Sequence, residues 1–323
     1  MIKSKIKGDF TPLWYNEQMK KIYLLALIAF MTILLILFVF YNRYRSYYEE
    51  EKIDSYISKN IDILNDNLNF EKQYALSLSL FISQNQIIKK ALHVSDQQMA
   101  LNELDKFTKD IEKSAGIDNI EIQVHTKRLE AFARNWDNSN YMGVKLGSFR
   151  KGLVRVKKTK EPFVSIELGK RLNIKAITPI FDEQQKFIGS IEIIMNFKNV
   201  ERRLKKFGLK MLALLDKKFI NIAIDLKNHQ RVGEYYVVGK SYSKELYKKL
   251  INHTEIFKSD NFYHNIENKI IVLVPMLSVG MQDVGLIALC MDIKQDEIYD
   301  YHSTNIDDSS YEFNQKRREV IIK

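Results

Sequence analysis

Residues 22–41, IYLLALIAFMTILLILFVFY, carry no charged side chain. A helix of about 20 apolar residues crosses the hydrocarbon core of a bilayer. The run is too long for a signal-peptide core and no small-residue cleavage site follows it, so it is expected to stay as an anchor. Lys3, Lys5, Lys7, Lys20 and Lys21 precede it, whereas Arg43 and Arg45 are soon offset by Glu49, Glu50 and Glu51. The positive-inside rule then puts 1–21 in the cytoplasm and everything after 42 outside, as a single-pass inner-membrane protein. The next apolar region, 270–291, is broken by Pro275, Gly280, Gln282 and Asp283 and reads as two buried strands joined by a turn.

Composition excludes several functions. Cys290 is the only cysteine, so no intramolecular disulfide or cysteine metal cluster forms, and its apolar setting reads as a small buried hydrophobe. The net charge of +10 is scattered, without a basic stripe interleaved with aromatics, which argues against nucleic acid. No G-x-S-x-G elbow, glycine-rich phosphate loop, H-E-x-x-H pair or metal-ligand spacing occurs. The expectation is no catalysis in this chain, no cofactor and no metal.

After the span, Ile53, Ile57, Ile61, Leu64 and Leu68 recur at helical spacing, and Phe70, Tyr74, Leu78 and Phe81 form a second stripe. A long spine helix over about 45–90 is expected, its stripe serving as core or as the seam of a homodimer. A second helix spans about 95–114, started by Ser95-Asp96 and stopped near Gly116. From Asn119 the period becomes strand-like. Strands are expected at 119–125, 131–137, 163–169, 173–181 and 188–196, with a helix near 148–158 and another at 198–207. The order then restarts, with strands at 210–216, 219–225 and 234–238, a helix at 243–252, and strands at 269–277 and 283–292. Pro179, Gly189 and Met195 align without a gap with Pro275, Gly285 and Met291, each 96 residues further on. Equal spacing and equal element order point to a duplicated PAS-like unit.

In the first unit, Ile120, Ile122 and Val124 point one way from their strand, and Glu121, Gln123 and His125 the other. The next strand is expected to put Phe132, Arg134 and Trp136 on one face and Ala131 and Ala133 on the opposite one. Arg134, Arg150, Arg171 and Lys175, if they converge, would hold an anionic group, most naturally a carboxylate. Trp136, Tyr141 and Phe132 would wall the cavity. Glu167 is either a ligand contact or an ion-pair partner of Arg134. His125 reads as a satisfied structural histidine more readily than as a ligand contact.

The run His125, Arg134, Trp136, Tyr141-Met142-Gly143, Ser148-Phe149-Arg150, Glu167-Leu168-Gly169 and Pro179 resembles the double Cache sensor domains of bacterial chemoreceptors, sensor histidine kinases and membrane-bound diguanylate cyclases, more narrowly the type 3 subgroup. Two departures stand out: Val144 and Lys145 occupy positions where acidic residues are expected, and Lys175 stands where an arginine is expected. The resemblance implies an α+β fold with a transmembrane helix at 22–41 and spine helices at 42–114. It also implies a membrane-distal module at 115–207 that binds a small molecule, a proximal module at 208–295 that relays movement, and a C-terminal helix at 296–323 leading towards the membrane. Relatives continue through a second span into a cytoplasmic output domain, and this sequence, which stops where that span is expected to start, is either a fragment or a sensor-only protein. The rival reading is a membrane-anchored scaffold that kept the fold without a ligand.

Overall fold

The computed structural model describes residues 13–115, 120–136, 141–240 and 242–293; the C-terminal helix expected at 296–323 lies outside them. The chain divides within its first helix, α1 (Leu13–Ser83), into the compact units Met1–Tyr56 and Ile57–Lys323. In the first unit, the side chains of 22–41 are exposed on all sides, and this helix is long and apolar enough to cross a membrane.

In the second unit Ile57, Ile61, Leu64 and Leu68 are 0–3% exposed. Of the two uses expected for that stripe, core or dimer seam, these residues serve as core within one chain. Of the second stripe, Phe70 and Phe81 remain largely exposed. The spine is also shorter than the 45–90 expected. Asn85 accepts hydrogen bonds from the Ile87 and Ile88 N–H groups at 2.9 and 3.1 Å and caps a new helix, α2 (Gln86–Val94). Asp96 does the same for α3 (Gln97–Ala115) through the Met99 N–H at 3.0 Å.

Among the described residues the rest is two antiparallel sheets. The first has the order β2-β1-β5-β4-β3, from β1 (Glu121–Thr126), β2 (Ala131–Arg134), β3 (Phe163–Leu168), β4 (Leu172–Phe181) and β5 (Phe187–Met195), with α4 (Lys151–Thr159) between β2 and β3. Register sets its two faces. Gln123 lies opposite Arg134 and Glu192, Lys175 opposite Ser165 and Ile194, and Asn173 opposite Glu167. These residues, with Glu121, His125 and Ser190, share one face. Ile122, Val124, Ile174, Ala176, Ile191 and Ile193 share the other. The apolar face meets the helices, where the Ser79 and Thr178 hydroxyls bond at 2.7 Å. The polar face is covered by α4, whose Leu153 and Val156 pack on Ile177. A β-bulge between Val124 and His125 leaves Phe132 without a partner. The expected alternation of 131–136 therefore breaks, and Ala131 joins the polar side.

Helix α5 (Lys198–Lys206) follows, fastened to α1 by Arg203 on Glu71 at 2.7 Å and Asn199 on Glu71 at 2.9 Å. The second sheet has the order β7-β8-β6-β11-β10-β9. Its strands are β6 (Lys210–Asp216), β7 (Arg231–Val232), β8 (Tyr235–Val237), β9 (Tyr263–Ile266), β10 (Lys269–Ser278) and β11 (Gln282–Asp292), with α6 (Lys244–Asn252) before β9. The strand expected at 219–225 does not form. Short 3₁₀ turns occupy Lys217–Phe219 and Ile224–Leu226 instead, the first started by Asp216 accepting from the Lys218 N–H. The short strands β7 and β9 carry too few alternating residues to announce themselves.

The duplication extends to register: Pro179 pairs with Ser190 and Pro275 with Leu286, while Gly189 faces Ile180 and Gly285 faces Met276. The repeated glycine has a steric cause. A Cβ on Gly189 would stand 2.3 Å from the His125 carbonyl oxygen, and one on Gly285 2.0 Å from that of Leu214. Both sit where the last strand presses against the first strand of its sheet. Alanine at either site is expected to destabilise the protein by about 1–3 kcal/mol through overpacking, read as a lower denaturant midpoint. An unchanged midpoint in both variants would contradict this account.

Candidate ligand-binding site

On the polar face of the first sheet lies a cavity of about 280 Å³. It is lined by Arg134, Trp136, Tyr141, Arg150, Arg171 and Lys175, so six of the eight residues singled out from sequence converge there. Gln123, Asn173, Leu146, Phe149 and Asp225 add to its wall. Phe132 is buried but does not line it, a consequence of the bulge.

The other two, His125 and Glu167, lie beneath the cavity in a buried ionic cluster. Arg150 is 5% exposed and its guanidinium bridges two carboxylates, donating from Nε to Glu167 at 3.3 Å and from Nη2 to Glu192. Their charges hold the guanidinium protonated and raise its pKa against the opposing effect of burial. The Arg134–Glu167 pair considered from sequence does not form; Glu167 serves Arg150. Its Oε1 also accepts the Gly152 N–H at 3.1 Å, placing a negative charge at the start of α4. Gly152 allows this approach, since a Cβ there would lie 2.5 Å from Glu167 Oε2. Each glutamate keeps one oxygen without a hydrogen bond among the described residues.

His125 is fully buried, with Nδ1 3.2 Å from Ser190 Oγ and Nε2 3.6 Å from Glu192. Burial, reinforced by Arg150, pushes its pKa down to about 3, so the ring is neutral.

Lys175 is 4% exposed, and Gln123 and Asn173 are 4% and 6% exposed. Among the described residues the side chains of all three lack a hydrogen bond, and all three line the cavity. Burial first, and then the neighbouring Arg150, pushes the Lys175 ammonium down to about 8. Its Nζ rests against Gly169, where a Cβ would come within 2.6 Å. Arg171 is engaged differently, making two bonds to Glu121 at 2.8 and 2.5 Å and reaching Asp225 at 3.7 Å. Arg134 lies 3.9 Å from the centre of the Tyr141 ring and 5.5 Å from that of Trp136, a cation–π arrangement.

The second sheet provides an internal control. By the register of the two repeats, Gln123, His125, Lys175 and Glu192 correspond to Leu212, Leu214, Ile271 and Ala288. All four belong to the apolar core under α6. The same fold thus closes over four aliphatic side chains in one repeat and over four polar ones in the other. Sequence inspection missed Glu192, Gln123 and Asn173. The signal for Glu192 was a lone carboxylate inside the apolar strand GSIEIIM.

Two outcomes test the cluster. Arg150→Met leaves both glutamates buried without the cation that bonds them, and is expected to cost about 3–5 kcal/mol in denaturant unfolding. For His125, the unfolded chain takes up a proton near 6.5 while the folded one resists until about 3. Stability is therefore lost as pH falls through that window, by up to about 1.4 kcal/mol per pH unit. His125→Leu, which copies Leu214, should show a flatter profile between pH 6.5 and 4; parallel profiles would refute the assignment.

Comparison with known proteins follows the same lines. The double Cache type 3 family, described as a double sensory domain of two-component sensor kinase, matches residues 50–296. No curated protein matches the chain. Similar solved structures include the periplasmic domain of Vibrio cholerae LuxQ, at 11% identity and a TM-score of 0.46 over 73% of this chain and 99% of that one. The ligand-binding domain of the Campylobacter jejuni chemoreceptor Tlp3 in complex with 4-methylisoleucine matches at 12% identity and 0.43, over 80% and 96%. The sensor domain of the V. cholerae histidine kinase DctB matches at 8% and 0.41, over 74% and 97%. The sequence motifs, the repeated PAS-like sheets and the matched span agree: the chain belongs to the double Cache type 3 family of sensory domains.

Proposed function

We propose that this protein is a membrane-anchored, extracytoplasmic sensor whose first module, about residues 115–207, binds a small molecule in the cavity on its polar sheet face. The observation that carries the reading is the contrast between the repeats. Burying polar side chains without partners costs free energy, and the second sheet needs none at the corresponding positions. A ligand that completes those hydrogen bonds supplies a reason for their presence. Arg134, Trp136, Tyr141, Arg150, Arg171 and Lys175 are the proposed contacts, with Glu167 and His125 supporting them from below.

Signalling would proceed as a population shift in which ligand favours a closed arrangement of α4 and the 141–150 segment over the sheet. Two connections support a route outwards. Strand β4 carries Lys175 on the cavity face and Thr178 on the face bonded to Ser79 of α1. Asp225, a cavity-wall residue, belongs to the second module, the proposed relay (about 208–295). The 22–41 helix would anchor the sensor with its N-terminus in the cytoplasm, and the output would be that of a kinase, chemoreceptor or cyclase receptor.

The test is a thermal-shift screen of the full chain in lipid nanodiscs against carboxylates, amino acids, amines and nucleobases. At 100 times its Kd a true ligand adds about 2.7 kcal/mol of stability. The shift should vanish in Trp136→Ala, whose unliganded melting should stay close to wild type. A library without a single Trp136-dependent shift would contradict the sensor reading.

A further inference from the structure

The second repeat departs from the first in the connection that follows its first strand. In the first repeat β1 returns as β2 through the tight turn Lys127–Glu130, closed by the Thr126 N–H on the Glu130 carbonyl at 2.9 Å. In the second, β6 and β8 pair in the same way, yet the chain between them runs from Lys217 to Glu234. Its neck is closed by the Lys217 N–H on the Glu234 carbonyl at 3.0 Å and by an ion pair between the two side chains. Beyond the neck, the 3₁₀ turns and the bonds from the Ile222 and Ala223 N–H groups to the Phe219 carbonyl, at 2.9 and 3.0 Å, build a short arm. Phe219, Ala223 and Leu226 anchor it and are buried.

The sheet does not need this detour, since the first repeat closes the same strand pair with a tight turn. The tip of the arm lies instead on the first module. The Asp225 N–H donates to the Lys170 carbonyl at 3.1 Å, and the Asp225 carboxylate stands 3.7 Å from Arg171 Nε. Among the described residues Asp225 is the one cavity-wall residue that the second module supplies, and Lys170 and Arg171 line the same wall. The contact is a light one. Arg171 gives its two short bonds to Glu121, and the Arg171 and Asp225 side chains are 36% and 45% exposed. An ion pair so open to water contributes little to stability. A second side-chain tie between the modules, Lys151 Nζ on Gln282 Oε1 at 3.1 Å, is exposed as well.

We infer, building on the sensor reading above, that the Lys217–Glu234 arm is a movable wall of the cavity, and that cavity occupancy and docking of its tip on Lys170 and Arg171 favour each other. With the tip docked, Asp225 closes that side of the cavity; with the tip withdrawn, an occupant loses that wall to water. A compound that needs the closed form therefore stabilises docking, and weaker docking lowers its apparent affinity by the docked fraction lost. The linkage depends on filling the space against Asp225, not on the compound's charge. It makes the second module part of the binding site. The arm leaves β6 and returns as β8, so a change at its tip is delivered straight into the second sheet.

The experiment is hydrogen exchange, read by mass spectrometry on the full chain in nanodiscs. It is run alone and with each carboxylate, amino acid, amine or nucleobase that gives a Trp136-dependent thermal shift, at about 100 times its Kd. Exchange in 218–230 should slow at least about threefold when such a compound binds, while 286–291 within β11 stays unchanged. Leu226→Ala loosens the arm without lining the cavity, and should weaken binding at least about threefold. Leu246→Ala, a core change of the same kind under α6, should leave the affinity within about twofold. Should Leu226→Ala fail to fold, the wild-type exchange with and without compound still decides. Exchange in 218–230 that ignores a bound compound, or an affinity that Leu226→Ala leaves unchanged or that both variants weaken alike, overturns the inference and leaves the sensor reading standing. If no compound gives a Trp136-dependent shift, both fall.

Discussion

The cavity depends on Arg150 lying between Glu167 and Glu192. A buried carboxylate without a cation is costly, and two of them on adjacent parts of one sheet would repel. The guanidinium joins the start of α4, through Glu167 and the Gly152 N–H, to the middle of β5, through Glu192. That connection sets how far the helix stands from the sheet. It also engages the nearby acids, so that Lys175, one strand away, is left facing the cavity. Rigid support of this kind is a condition that a recognition site needs.

The two repeats show what this arrangement adds to the fold. Both sheets share one strand order, to which the second adds β7 at its edge, and the same proline register and steric requirement for glycine. One is closed by Leu212, Leu214, Ile271 and Ala288 in a dry core. The other carries Gln123, His125, Lys175 and Glu192 at those positions. Hydrophobic packing alone closes the fold in the second case, so the polar set is not a demand of the backbone. Neutral His125 fits this view, since it fills volume beside Glu192 without adding a charge that Arg150 would oppose.

Much of this was legible from residue order, and the exceptions have physical causes. The apolar span, the helical stripe, the strand periods and the 96-residue repeat follow from local chemistry and spacing. The glycine in the repeat was visible as an identity, but its reason, a carbonyl 2.0–2.3 Å from any Cβ, required two strands brought together from different parts of the chain. Asn85 hid a helix break because an asparagine inside an apolar period resembles an ordinary exposed position. The bulge at Phe132 shifted which side chains share a face, as a single unpaired residue does in any strand. Alternation put His125 on the polar face of its strand without saying what covers that face. Glu167 was noticed, but its partner was misjudged, since Arg150 lies on a segment whose placement no period predicts.

The central claim is that Lys175 is a buried ammonium that faces the cavity with no hydrogen-bonded counter-ion among the described residues. Its own titration is the most direct measurement: the ¹³Cε shift of Lys175 followed by NMR in selectively labelled protein, assigned with Lys175→Arg. The account predicts a midpoint near 8. A midpoint at or above the ordinary lysine value of about 10.4 would show that the ammonium is hydrated or already paired, and would contradict the account.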